Sequence, residues 1–138
     1  MATRAKRSKW TRDLQLNMKY LIDSNIIIYY LNGNEDVYKF IHQYKNFSCI
    51  SIITYYEVLN YDFDKEEEQI VKEFLDSFEI INLSRNIINK ALENRKTKKI
   101  KMADNFILST AQLLNLKLIT HNTKDFQSFN IEMSSILS

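Results

Sequence analysis

Four short apolar runs, at residues 20–22, 47–53, 80–83 and 117–120, are separated along this chain by stretches of helical periodicity. Short runs rich in β-branched residues read as buried strands, and apolar residues recurring every three or four positions read as helices. Strands divided by helical crossovers return to the same end of a sheet and pair in parallel. The alternation predicts an α/β domain with a central, mainly parallel sheet. The helical stretches fall at residues 25–31 and 36–44, broken at Asn32-Gly33-Asn34 around the only glycine, then at 55–61 and 65–77. Ser84 caps the next, which carries Ile87, Ile88, Ala91 and Leu92 on one face. The last covers 104–114, with Phe106, Ile107, Ala111 and Leu114 expected to be buried; in 65–77 the core face is Ile70, Val71, Phe74 and Leu75, continued by Phe78.

Asp23, Glu57, Asp104 and Asp125 each fall where one of these elements gives way to the next. In an open parallel sheet the carboxyl ends of the strands form one edge, where ligands sit, so acids arriving there from distant parts of the chain can converge. Converging carboxylates repel unless a cation lies among them. Mg²⁺ and similar hard ions bind through one or two carboxylates plus waters and phosphates, which points to metal-dependent phosphoryl chemistry. Each acid also has a local explanation. Asp23 can cap a helix starting near Asn25, and Glu57 can close a capping box with Thr54. Asp104 can complement a helix dipole, and Asp125 can form an Asx turn. Their common placement at one edge favours the cluster, whereas Glu66, Glu67 and Glu68 form an ordinary solvated run.

Charge is unevenly spread. Residues 1–17 hold Arg4, Lys6, Arg7, Lys9 and Arg12 against Asp13 alone, so +4 lies there and −2 on the rest of a chain whose net charge is +2. That segment is polar, lacks periodicity, contains Trp10, and reads as a disordered basic arm or extension preceding a domain at 18–138. Attraction to a polyanion must then come from local patches, chiefly Arg95, Lys96, Lys98, Lys99 and Lys101 just before Asp104. The same run equally suits the dipole at a helix end. Cys49, the only cysteine, lies in an apolar run with no basic neighbour, which predicts a buried structural thiol and a reducing compartment. No apolar run approaches the ~20 residues of a membrane span, and the basic amino terminus leads into no signal-peptide core. A cytoplasmic protein is expected.

The segments Leu21-Ile22-Asp23-Ser24-Asn25, residues 51–59 with Glu57, Ala103-Asp104-Asn105-Phe106-Ile107, and residues 120–126 with Asp125 closely resemble the ordered motifs of the PIN domain. The similarity is greatest to the VapC-type toxins of prokaryotic toxin–antitoxin pairs and covers about residues 18–133. It implies a three-layer α/β/α sandwich and a ribonuclease dependent on Mg²⁺ or Mn²⁺. Asp23, Glu57 and Asp104 match the family's three metal-holding acids, Asp125 the more variable fourth, and Asn122 a polar supporting residue. All four acidic positions are filled. The approach to Asp104, Lys98-Lys99-Ile100-Lys101-Met102, departs from the Gly- or Pro-containing approach of many such domains. Ser24 and Thr54 are candidates to orient carboxylates or waters, with local capping as the alternative. The partners implied are RNA, an antitoxin from an adjacent gene, and a second copy of the chain. Tyr29, Tyr30, Tyr55, Tyr56 and Tyr61, around the first two motifs, suit core, rim or such an interface. Alternatives are an RNA-processing nuclease without an antitoxin and a non-catalytic, RNA-binding or scaffolding PIN domain. A phosphotransferase of the haloacid-dehalogenase type needs a second Asp where this chain has Asn25.

Overall fold

The computed structural model describes residues 17–129 and 131–136. The basic arm expected at the amino terminus lies, up to residue 16, outside the described residues. Among these residues, five strands, β1 (Tyr20–Ile22), β2 (Ser48–Ser51), β3 (Glu79–Ile81), β4 (Lys117–Ile119) and β5 (Met133–Ser134), form one sheet in the order β3-β2-β1-β4-β5. Every pairing among them is parallel. Among the described residues, seven α-helices lie between them: α1 (Ser24–Leu31), α2 (Glu35–Tyr44), α3 (Ile52–Leu59), α4 (Lys65–Asp76), α5 (Arg85–Thr97), α6 (Met102–Leu114) and α7 (Thr123–Phe126).

Strand alternation divides the apolar side chains into two cores. Leu21, Cys49, Ile81 and Leu118 pack on one face with Ile87 of α5, Ile107, Leu108 and Ala111 of α6, and Phe126 of α7. Ile22, Ile50 and Ile119 pack on the other with Ile26 and Ile27 of α1, Val37 and Ile41 of α2, Val58 of α3, and Val71 and Leu75 of α4. Helices on both faces of a parallel sheet make the expected three-layer α/β/α sandwich. The Asn32-Gly33-Asn34 break also holds: Gly33 takes φ +83°, a conformation that L side chains rarely adopt, and Asn34 caps α2 by accepting from the Val37 N–H. Cys49 is fully buried, and burial first, then the charge of Glu79, pushes its thiol up to about 12.

Local boundaries differ from expectation for identifiable reasons. The run at 47–53 is strand only over Ser48–Ser51, because Lys45–Phe47 is a 3₁₀ turn and the Ser51 hydroxyl caps a helix beginning at Ile52. Residues 65–78 bury Val71, Leu75 and Phe78 but leave Ile70 exposed, and on α5 Leu92 is 46% exposed. On α6, Ile107 and Ala111 are buried whereas Phe106 and Leu114 are half-buried. β5 and α7 follow no apolar pattern in the sequence; β5 forms by pairing Met133 with Leu118 and Ser134 with Ile119.

Candidate active site

Parallel strands deliver their carboxyl ends to one edge, and β1 delivers Asp23. Its backbone N–H donates to Ile119 O on β4 at 2.9 Å, which fixes where the side chain begins. Oδ1 accepts from the Ser24 N–H at 2.7 Å, making Asp23 the N-cap of α1. The capping explanation is therefore correct for this residue, and incomplete. Oδ2 accepts from the Thr120 hydroxyl at 2.7 Å and from Asn25 Nδ2 at 3.4 Å, more donors than a cap needs. Asp23 is 4% exposed. Burial pushes its carboxyl up to about 6; the Thr120 and Ser24 hydrogen bonds oppose that, while the charges of Asp104 and Glu57 add to it.

Glu57 reaches the same edge from α3. The predicted capping box with Thr54 does not form, because Ser51 is the N-cap and accepts from the Ile53 N–H at 3.0 Å. Glu57 is tied across to α1 instead: the Ser24 hydroxyl donates to Oε1 at 2.6 Å and lies 3.2 Å from the Thr54 hydroxyl. Ser24 has one proton to give, and the carboxylate is the stronger acceptor. Ser24 and Thr54 thus lie together beside the Glu57 carboxylate.

Asp104 sits in the first turn of α6, half-buried. Burial raises its pKa first, followed by the negative charges of Glu57 and Asp125, with Lys101 in partial opposition. Asp125, exposed on α7, accepts from Asn122 Nδ2 at 2.6 Å. Asp104 and Asp125 line a cavity of about 320 Å³ with Lys98, Lys99, Ile100 and Lys101. Arg95 turns to a neighbouring apolar groove with Ile88, Leu92 and Met102, and Lys96 lines neither. The basic run is therefore split: Lys98 and Lys101 line the acids' cavity, Lys99 lines both hollows, and Arg95 and Lys96 occupy the last turn of α5, where cations favour the dipole.

Two residues that sequence reasoning did not single out hold this edge together. Thr120 follows β4, donates to Asp23 and accepts from the Asn122 N–H at 2.9 Å. Asn25 donates to Asp23 and accepts from the His121 N–H at 3.1 Å. A hydroxyl directly after a strand and an amide two residues after the acid are the signals that mark them.

Among the described residues, no three His, Cys, Asp or Glu side chains form a ready-made metal cage. The acids feel one another's charge without closing on a point. The donor set nonetheless fits a hard divalent ion: it is all oxygen, Mg²⁺ takes only one or two carboxylates and keeps its waters, and a cation would offset the burial, and then the neighbouring negative charges, that raise Asp23 and Asp104.

Residues 20–131 match the model of the PIN domain. No curated protein matches the chain. Among solved structures, a toxin–antitoxin complex from Klebsiella pneumoniae is similar at 33% identity and TM-score 0.76, over 86% of this chain and 98% of that one. VapBC2 from Rickettsia felis, bound to a DNA fragment from its promoter, is similar at 25% identity and TM-score 0.73, over 86% and 98%. DNA-bound VapBC from Salmonella typhimurium, at 20% identity, TM-score 0.76 and the same coverage, shares the fold. With that match spanning all of β1 to β4 and the four acids, the chain belongs to the PIN domain family.

Proposed function

We infer that this PIN domain is a metal-dependent ribonuclease acting as the toxin of a toxin–antitoxin pair. The observation that carries the reading is the convergence of the acids at one sheet edge, where Ser24, next to Asp23, binds Glu57, and Asp104 and Asp125 line one cavity; their charges act on one another there. Asp23, Glu57, Asp104 and Asp125 are the residues that would hold Mg²⁺ or Mn²⁺. When bound there, such an ion supplies Lewis-acid polarisation of a phosphodiester and lowers the pKa of a bound water. Ser24, with the Thr54 hydroxyl beside it, fixes the Glu57 carboxylate, Thr120 and Asn25 fix Asp23, and Asn122 fixes Asp125. Lys98, Lys99 and Lys101, sharing a cavity with two of the acids, hold RNA phosphates next to the reacting bond.

An antitoxin partner is supported by the similar structures, which are toxin–antitoxin complexes. A homodimer in the cytoplasm completes the proposal. No described helix is long and apolar enough to cross a membrane.

Purified protein should cleave RNA with Mg²⁺ or Mn²⁺ and stop on addition of EDTA. Its induced expression should arrest bacterial growth, relieved by co-expression of a small protein encoded beside it. Cleavage indifferent to EDTA overturns the metal mechanism. Cleavage without growth arrest favours an RNA-processing nuclease, and RNA binding without cleavage a scaffolding domain.

A further inference from the structure

The loop 98–101 that carries the lysines joins α5 to α6, and neither of its ends is fixed by a side-chain cap. Lys98, the C-cap of α5, donates its N–H to Asn94 O at 3.3 Å and its Nζ to Ser128 Oγ at 3.1 Å, on the exposed surface, and Lys101, the N-cap of α6, makes no side-chain cap hydrogen bond. The hairpin is held from inside instead. Asn94 and Asn105 are 5% and 6% exposed. Asn94 Nδ2 lies 2.7 Å from Gln112 Oε1, 3.0 Å from Ser109 Oγ and 3.3 Å from Asn105 Oδ1. Asn105 Nδ2 donates to Ala91 O at 2.8 Å, and its backbone N–H donates to Lys101 O at 2.9 Å.

The geometry points to Asn94 and Asn105 as positioning residues, which lock α6 to α5 so that Asp104 faces the other acids and the lysines of 98–101 face Asp104. An apolar pair would join the helices more simply, since buried amides stabilise only when their partners are met. What the amides add is uniqueness. Their donors and acceptors meet in a single register, and sliding α6 by one residue swings Asp104 through about 100°. Asn105 is the joint: it follows Asp104 directly, and its side chain ties the first turn of α6 to the body of α5 through Ala91 O.

This inference rests on the metal-nuclease reading, and its test separates the two. Asn94→Leu and Asn105→Ala are measured well below their melting temperatures, by calorimetric titration with Mn²⁺ in the absence of RNA and by steady-state cleavage of an RNA oligonucleotide. We expect Mn²⁺ affinity to fall about tenfold or more, as for other residues that orient metal-binding groups, and kcat to fall with KM little changed. Variants that melt lower but keep wild-type Mn²⁺ affinity and kcat overturn the assignment and leave the amides as ordinary core. Should neither variant fold, Ser109→Ala removes one hydroxyl from the same network, and a smaller drop in both quantities is expected; unchanged values overturn the inference. Wild-type protein that neither binds Mn²⁺ nor cleaves RNA brings down the metal-nuclease reading, and this inference with it.

Discussion

The Ser24 hydroxyl donates to Glu57 Oε1 at 2.6 Å, joining the first turn of α1 to the far half of α3. Ser24 follows Asp23 directly, so one hydroxyl sets the spacing between acids separated in sequence by two whole helices, a strand and most of a third helix. Ser24→Ala should lower cleavage by about tenfold. Stability should change by only about 1 kcal/mol, because the half-buried Glu57 can take a water in place of the hydroxyl. A thermal melt beside a cleavage assay checks both, and full activity in the alanine variant would remove Ser24 from the site.

Asp23 makes stability fall as pH rises. Its folded carboxyl titrates at about 6 against an ordinary 3.8, so between those values the folded state binds more protons than the unfolded one. Metal-free protein should therefore lose up to roughly 3 kcal/mol from pH 4 to pH 7, with Asp104 shifting the same way. Asp23→Asn should flatten this profile, match or exceed wild-type stability at pH 7, and abolish cleavage. Urea melts across pH, with EDTA present, would reveal it; an unchanged profile contradicts the burial cost assigned to Asp23.

Mg²⁺ or Mn²⁺ should raise the melting temperature of wild type at pH 7, since an ion that binds the folded state stabilises it by mass action. The rise should shrink toward pH 5, where protons occupy Asp23, and be smaller in Asp23→Asn and Asp104→Asn. An identical rise in all three proteins would move the ion elsewhere.

The split basic run predicts unequal roles. Replacing Lys99 and Lys101 with Gln should reduce the log–log salt slope of RNA binding by up to ~1.4, at ~0.7 per phosphate contact on a single strand. The pair Arg95→Gln and Lys96→Gln, away from the acids, should change it less. Equal slopes in both double variants would assign the whole run to solvation.

Phe126 is fully buried beside the exposed Asp125 and anchors α7, a helix of one turn. Phe126→Ala should cost about 3–5 kcal/mol and release Asp125 from the edge. Cleavage measured at a temperature where the variant is still folded should be reduced; undiminished activity would make Asp125 dispensable.

The alternation of strands and helices was legible in the sequence because periodicity reports burial, and burial is what a three-layer sandwich imposes. Asp23, Asp104 and Asp125 do stand at or beside element boundaries, whereas Glu57, expected at one, lies at the sixth position of α3 and reaches the edge from inside the helix. Partnership was harder to read. Thr54 and Glu57 have capping-box spacing, but Ser51 starts the helix three residues earlier and Glu57 turns to Ser24, 33 positions away. Thr120 lies 97 positions from Asp23, and no local pattern announces such a hydrogen bond. β5 is two residues long and exists only because β4 offers it an edge. The lysine run looked continuous because sequence adjacency hides the point where α5 ends and its side chains begin to face a different way.

Cys49 gives this chain a built-in reporter. It is the only thiol, it is sealed between the sheet and its helices, and its high pKa leaves almost no thiolate to react at neutral pH. Alkylating reagents can reach it only when that half of the sandwich opens, so the labelling rate counts opening events one molecule at a time. A tightly bound partner should slow that clock without touching the sulfur. The kinetics of release from such a partner can thus be followed on unmodified protein, with no dye attached.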